Sequence, residues 1–238
     1  MKRLGILALV AVAIYVAWAV AYPTYTHRYR LTIEVDTPEG VRSGSSVIEV
    51  TRNDARLLRF GGAQYIFKVR GEAVFIDLGA GRNVIGLLAM GAYAQFIDPL
   101  ISLAIEAYGY DKWDEDAWAG RRPLQGPVEL KPPFIPTLVA FSDLSDPKTV
   151  RVVYAADVRE SAGPRRQPYV AVDRLAEFLG PGVRFERARL EATRDDVTRT
   201  IEQKLPWIAQ MKSEGFGTRI DGEPGRFRLN VPYFTRAD

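Results

Sequence analysis

Cysteine is absent from this chain of 238 residues, and histidine occurs once, as His27. The absence of cysteine excludes disulfides and thiolate metal sites. A single imidazole makes zinc enzymes and Ser-His-Asp hydrolases poor fits, and we interpret His27 as a polar residue at the level of lipid headgroups. Catalysis would have to use carboxylates, lysine, tyrosine or backbone amides, and we expect no metal and no cofactor.

Charged residues are also missing from the nineteen positions between Leu4 and Tyr22, which follow Lys2 and Arg3. A helix of this length measures about 28 Å, close to the roughly 30 Å hydrocarbon core of a bilayer. Aromatic residues such as Trp18 gather toward its far end, where the headgroups would lie, and a proline follows. We therefore predict that residues 1–22 form a single transmembrane anchor.

A cleaved signal peptide is the alternative for this segment, since a charged start and an apolar run precede the A-x-A sequence Ala19-Val20-Ala21. The positive-inside rule is nearly balanced between Lys2 and Arg3 on one flank and Arg28 and Arg30 on the other, and the N-terminal amine favours N-in. We expect a single-pass protein of a bacterial inner membrane with a periplasmic domain.

Net charge excludes one class of partner. Of the 32 basic residues, Lys2 and Arg3 belong to the predicted anchor, which leaves 30 against 29 acidic residues. Because the remaining charges are nearly balanced and interspersed, no nucleic-acid surface is indicated. The expected partners are the lipid bilayer, through the N-terminal helix, and a protein partner.

Alternating apolar and polar residues from Tyr29 to Asp36 predict a strand directly after the anchor. Similar patterns with turn residues between them predict further strands and a C-terminal hairpin. These segments are residues 46–51, 64–69, 73–78, 135–144, 149–155 and 183–193, with the hairpin at 218–234 and its tip at 221–225. Most of the pairing should be antiparallel.

Helical spacing of Leu, Ala, Met and Ile predicts two helices over residues 84–110 that meet near Pro99. A second membrane span is the alternative, but Gln95, Asp98 and Glu106 oppose it. Shorter helices are predicted at 173–179 and at 195–205, where Pro206 would stop the second. The predicted class is α+β, with a transmembrane anchor at 1–22, a domain at 23–238 and a surface connection near 111–136.

The sequence from Val74 to Asn83 resembles the strand-to-helix glycine loop of Rossmann-like methyltransferases, in which small residues allow close approach to S-adenosylmethionine. The resemblance implies that Asp77, Gly79 and Gly81 would lie at the cofactor, with a helix starting at Val84. A structural turn that caps this helix is the alternative interpretation.

Two groups of carboxylates are further candidates. Asp111, Asp114 and Asp116, with Glu115 beside them, could hold a hard cation such as calcium, or could belong to a solvated loop. Trp113 and Trp118 would pack that loop down or, if exposed, mark a partner site. Asp143 and Asp146 form a possible acid/base pair, although their position around a turn favours a structural role.

Three segments, at 43–50, 146–150 and 197–207, resemble an uncharacterised family of proteobacterial membrane-anchored envelope proteins. This resemblance implies an anchored envelope protein and assigns no site residues. The function predicted from the sequence is that of a non-enzymatic binding or accessory protein. The alternative is a membrane-anchored enzyme, either a carboxylate-based hydrolase or a divergent S-adenosylmethionine-dependent methyltransferase.

Overall fold

The protein is α+β with mostly antiparallel sheets, as predicted. A computed structural model describes residues 2–56, 64–92, 94, 96–158, 169–214, 218–219 and 228–236. Within these ranges it leaves aside the side chains of residues 2–5, 7–8, 157–158, 169–170, 212–214, 218–219 and 228.

The described residues form six α-helices and thirteen strands. The helices are α1 (Lys2–Ala21), α2 (Pro99–Ala107), α3 (Glu115–Trp118), α4 (Leu175–Leu179), α5 (Ile201–Lys204) and α6 (Trp207–Glu214). The strands are β1 (Thr24–Asp36), β2 (Arg42–Asp54), β3 (Tyr65–Glu72), β4 (Val74–Gly79), β5 (Arg82–Met90), β6 (Val128–Glu129), β7 (Pro136–Phe141), β8 (Val150–Val158), β9 (Tyr169–Asp173), β10 (Arg184–Thr193), β11 (Thr218–Arg219), β12 (Arg228–Leu229) and β13 (Thr235–Arg236).

A six-stranded sheet in the order β13-β3-β2-β1-β10-β6 is built on the long hairpin of β1 and β2. The alternation predicted for β1 is confirmed, because its apolar side chains lie fully buried on one face. These side chains are Tyr29, Leu31, Ile33 and Val35. This buried face of the six-stranded sheet, here called the floor, forms one side of the main core.

A five-stranded sheet, in the order β4-β5-β7-β8-β9, packs on the floor near the far end of β1. Glycine permits the closest approaches between the two sheets. A Cβ atom at Gly86 would lie 2.2 Å from Cδ1 of Ile33, and one at Gly44 would lie 2.1 Å from the carbonyl oxygen of Phe75. A side chain at either position would push the sheets apart.

The helix predicted from residue 84 is wrong, because Arg82–Met90 is strand β5. Both faces of β5 are buried: Val84 and Leu88 point into the main core, whereas Ile85 and Leu87 point into a second apolar cluster behind the sheet. A strand covered on both faces has no polar alternation and resembles a buried helix in sequence. The second predicted helix is confirmed in part, as α2 begins at Pro99.

The second cluster is closed by α5, α6 and the C-terminal segment. The carboxylate of Glu72 accepts the backbone N–H groups of Thr200 and Ile201, at 2.6 and 2.8 Å, and so caps α5. The helix predicted at 195–205 is therefore shorter than expected. α5 ends at Lys204, before Pro206, as predicted, and Pro206 directly precedes a further helix, α6, since proline is tolerated before a first turn. β11 pairs with β12 as predicted, while the predicted tip at 221–225 lies outside the described residues.

The connection predicted at 111–136 is only partly on the surface. It contains α3 and β6, and Trp118, Leu130 and Ile135 are buried in the main core. This segment therefore covers part of the six-stranded sheet.

Helix α1 confirms the predicted helix over the N-terminal segment. Several of its apolar side chains are solvent-exposed, among them Leu9, Val12 and Val20. In the part of the chain that the structure describes, no helix meets the combined length and apolarity needed to cross a membrane. The predicted transmembrane character of the helix is thus not confirmed.

Candidate ligand-binding groove

Near the start of β1, helices cover the floor instead of the five-stranded sheet, and the side chains of the floor are of a different kind. There α2 lies against β3, and α3 lies against β1. The floor side chains at this end are aromatic or charged rather than aliphatic. They form two adjoining features, an arginine cluster and an aromatic groove.

The arginine cluster consists of Arg52, three aromatic rings and a carboxylate. The Arg52 guanidinium carbon lies 5.2, 4.4 and 4.9 Å from the ring centroids of Tyr25, Tyr65 and Trp118. Its Nη2 donates to Glu115 Oε2 at 2.5 Å, and Arg52 is only 1% exposed. Stacking on three rings and one ion pair stabilises a charge that would otherwise be costly to bury.

Glu115 links the cluster to α3. Its other carboxylate oxygen accepts the Tyr65 hydroxyl at 2.9 Å. Burial, with this hydrogen bond as a further cause, raises the pKa of Tyr65. Asp114 caps α3 by accepting the backbone N–H of Ala117, which fixes the position of Glu115.

His27 lies beside the cluster, with its ring 4.8 Å from that of Trp118. Both ring nitrogens are buried and have no hydrogen-bond partner among the described residues. Burial lowers the pKa of His27 to about 4, so the imidazole is neutral at pH 7. The interpretation of this residue as a headgroup-level polar group is wrong, because its ring nitrogens point into the protein.

The aromatic groove opens next to the cluster and has a volume of about 720 Å³. Its walls carry five aromatic side chains: Phe67, Phe96, Trp113, Trp118 and Phe134. The rings of Phe67 and Trp118 lie 5.8 Å apart, and those of Phe67 and Trp113 lie 6.2 Å apart. Trp113 is 50% exposed and Phe96 is 48% exposed, so the walls are accessible.

Charged groups also line the groove. They are Asp98, Glu106 and Lys112. Ser102 donates to Glu106 at 2.6 Å, and the Lys112 ammonium lies 5.3 Å from the centroid of the Trp113 ring. The groove thus combines a large apolar surface with a few polar groups, the composition typical of ligand sites.

The C-terminal end of α1 lies at the same end of the sheet as the groove. Arg56 Nη2 donates to the carbonyl oxygen of Ala21 at 3.3 Å, and the Asp54 amide donates to that of Pro23 at 3.4 Å. Asp54 pairs with Tyr65 across β2 and β3. The helix therefore ends within a few strand positions of the arginine cluster.

The segment that resembles a methyltransferase loop lies at the opposite end of β1. Asp77, Gly79 and Gly81 form the tip of the antiparallel β4–β5 hairpin, where the Asp77 carboxylate accepts the Gly79 N–H at 2.8 Å. Gly79 and Gly81 have φ of 82° and 78°, which this tight turn requires. Since β5 follows, these residues do not form the strand-to-helix geometry that the resemblance implies.

The acidic residues near α3 each have a structural partner. Asp111 accepts the Trp113 amide, Asp114 pairs with Arg122, and Asp116 pairs with Arg121. Within the described residues no group of three or more His, Asp or Glu side chains is arranged to hold a metal ion.

Asp143 and Asp146 also have structural partners. Their carboxylates accept the backbone N–H groups of Ser145 and Lys148, at 2.8 and 2.9 Å. These bonds confirm the structural interpretation of the turn. The two carboxylates of this candidate acid/base pair therefore serve local backbone geometry.

Trp113 and Trp118 could be singled out in the sequence, whereas Arg52, Phe67 and Phe96 could not be recognised there as parts of a site. One signal was available: the alternation of β2 places Arg52 on the same face as Ile48 and Val50, and an arginine at a core position needs partners. No comparable signal connects Phe67 and Phe96, which come from distant segments.

Comparison of the chain with family models, with curated proteins and with solved structures gives no match.

Proposed function

We propose that this protein is a membrane-attached binding protein whose aromatic groove takes the apolar part of an amphiphile, namely the acyl chain of a lipid. The observation that carries the proposal is the open groove lined by Phe67, Phe96, Trp113, Trp118 and Phe134. Two of these rings, Phe96 and Trp113, are exposed, and exposed rings that share one concave site mark binding sites.

The size of the groove supports a small-molecule ligand. Its volume of about 720 Å³ lies in the range of roughly 300–1,000 Å³ that is typical of ligand pockets. Apolar area dominates the walls, so most of the binding free energy would come from removing apolar surface of ligand and protein from water.

The neighbourhood of α1 supports a lipid as the source of this ligand. From Leu9 to Ala21 the helix has only apolar and aromatic residues, and Val12 is 59% exposed, so this part of α1 would gain free energy by inserting into a bilayer. Trp18 and Tyr22, with rings 5.0 Å apart, would sit at the headgroup level. A groove directly beyond them would lie at the bilayer surface.

The remaining parts of the proposal follow from the sequence. The domain would lie on the periplasmic side of a bacterial inner membrane, and its role would be binding rather than catalysis. A topology reporter fused after Asp238 tests the side. Reporter activity in the cytoplasm would contradict this orientation.

Membrane attachment is tested by flotation of the full chain with liposomes. Lysine in place of both Val12 and Val16 should abolish flotation, because each charge costs about 3 kcal/mol in the centre of an apolar helix. Val41→Lys is the matched control, since Val41 is also exposed, at 55%, but lies outside α1. Flotation of the double variant at the wild-type level would contradict attachment through α1.

Occupation of the groove is tested with the full chain in nanodiscs that contain a lipid with a photoreactive diazirine on one acyl chain, close to the glycerol. Labelling should concentrate on the segments around Phe96 and Trp113, and Trp113→Ala should reduce it about fivefold. Phe178→Ala is the control, because Phe178 is an exposed ring near the β4–β5 hairpin, at the other end of the sheet. Equal labelling at both ends would contradict the proposal.

A further inference from the structure

We propose that the aromatic groove also binds a quaternary ammonium cation, as the polar end of the amphiphile whose apolar part it holds. This inference rests on the proposed function and specifies the chemistry of the ligand. It is drawn from the rings, the carboxylates and the intramolecular cations at the groove.

The rings of this region already attract cations. The Lys112 ammonium lies 5.3 Å from the centroid of Trp113, and the Arg52 guanidinium lies 4.9 Å from that of Trp118. Both contacts are within the distance at which the negative face of an aromatic ring attracts positive charge. Both rings also line the groove, and Trp113 is half exposed, so its ring can bind a cation supplied by a ligand.

The rings of the groove suit a cation covered with methyl groups. The Phe67 ring centroid lies 5.8 Å from that of Trp118 and 6.2 Å from that of Trp113, and all three rings line the groove. A trimethylammonium group presents methyl groups to such walls and has no N–H donor that would need a hydrogen-bond partner. Aromatic cages of this kind recognise choline and other quaternary ammonium ions.

The charges in the groove favour a cation over an anion. Asp98 and Glu106 line the groove, and Lys112 is the one basic residue among the groove-lining residues that the structure describes. Phosphate or carboxylate ligands would meet two like charges there. A bound cation would instead be attracted by both carboxylates.

The first experiment compares choline with 3,3-dimethylbutan-1-ol, in which a neutral carbon atom replaces the nitrogen. Both are titrated into the full chain in phosphatidylglycerol nanodiscs by isothermal titration calorimetry, with empty nanodiscs measured in parallel. We expect choline to bind about tenfold more tightly than the alcohol. Equal affinities would overturn the cation proposal but not the proposed function, which the acyl-labelling experiment tests separately.

Variants test the assignment of residues. Asp98→Asn and Glu106→Gln should each weaken choline binding about threefold and leave the binding of the neutral alcohol unchanged. Lys112→Met should strengthen choline binding, because it removes a like charge from the groove. Asp77→Asn is the control, since Asp77 is an exposed carboxylate at the other end of the sheet. The same effect from Asp77→Asn as from Asp98→Asn would overturn the proposal.

The source of the cation is tested by exchanging phosphatidylglycerol for phosphatidylcholine in the nanodiscs. If the lipid headgroup occupies the groove, free choline should bind more weakly in phosphatidylcholine. Unchanged choline affinity would support a free quaternary ammonium compound as the ligand. Absence of choline binding in phosphatidylglycerol nanodiscs would overturn the proposal for both sources.

Discussion

The two halves of the core above the six-stranded sheet are built from different side chains. Where the second sheet covers the floor, Ile33 and Gly86 meet in close aliphatic packing. Where helices cover it, Arg52 is stacked among rings and the aromatic groove opens to solvent. The first half follows the ordinary rules of protein interiors, whereas the second buries a charge and exposes rings.

This difference indicates that the two ends of β1 have different roles. Aliphatic packing stabilises the fold at the far end, and the end next to α1 maintains a site whose composition is unfavourable for stability. Substitutions in the two halves should therefore separate stability from binding.

The largest loss of stability is expected in the aliphatic half. Ile33→Ala should lower the free energy of unfolding by about 3–4 kcal/mol, because Ile33 is fully buried between the sheets. Urea unfolding measures this change, and Val41→Ala, at an exposed position, should stay within about 0.5 kcal/mol of wild type. If Ile33→Ala lowered the free energy of unfolding less than Val41→Ala, the proposed distinction between the two halves of the core would be contradicted.

A smaller loss of stability is expected when the buried Arg52 guanidinium keeps its charge but loses its carboxylate partner, Glu115. Glu115→Gln should lower the free energy of unfolding by about 2–3 kcal/mol, since a buried guanidinium is then left without its carboxylate. Arg52→Met should cost less, because Glu115 is half exposed and can be hydrated. Urea unfolding of both variants tests this order, with Glu191→Gln as a surface control. The reverse order would show that the ion pair does not compensate the buried charge.

His27 should make the aromatic half sensitive to acid. Its pKa of about 4 in the fold is below the ordinary value of 6.5, so the unfolded chain takes up a proton first as the pH falls. This contribution to stability is complete above about pH 6.5 and is lost between pH 6.5 and 4. Between pH 7 and 4.5, His27→Phe should lose about 2 kcal/mol less stability than wild type in urea unfolding. An identical loss in both proteins would contradict the burial of His27.

The smallest change in stability is expected in the groove. Trp113→Ala should alter the free energy of unfolding by less than about 1 kcal/mol, because half of the side chain is exposed. The same variant should reduce acyl labelling strongly. Loss of stability comparable with that of Ile33→Ala would assign Trp113 to the core rather than to a site.

The antiparallel N-terminal strands could be predicted from sequence because β1 has one buried and one exposed face, which produces alternation. Strand β5 could not be predicted, because both of its faces are buried and its sequence therefore lacks this alternation. Helix α6 was missed for a local reason, as Pro206 can precede a helix as well as follow one.

The site was less accessible from sequence than the fold. Trp113 and Trp118 were recognisable as aromatic residues near turn formers, but their meeting with Phe67 depends on how α3 packs against the sheet. The most conspicuous sequence motif, at Asp77, Gly79 and Gly81, forms a hairpin turn instead. Glycine-rich turns serve many structures, whereas a groove needs residues brought together from distant segments.

The most direct test of the central claim is fluorescence quenching by lipids with brominated acyl chains, measured on the full chain in nanodiscs. Trp18→Phe serves as the background because it removes the tryptophan of α1 from the signal. We predict strong quenching that Trp113→Phe reduces, with the remainder coming from Trp118 in the same groove, and that Trp207→Phe, in the second apolar cluster, does not reduce. The same fractional quenching in both variants would contradict an acyl chain in the groove.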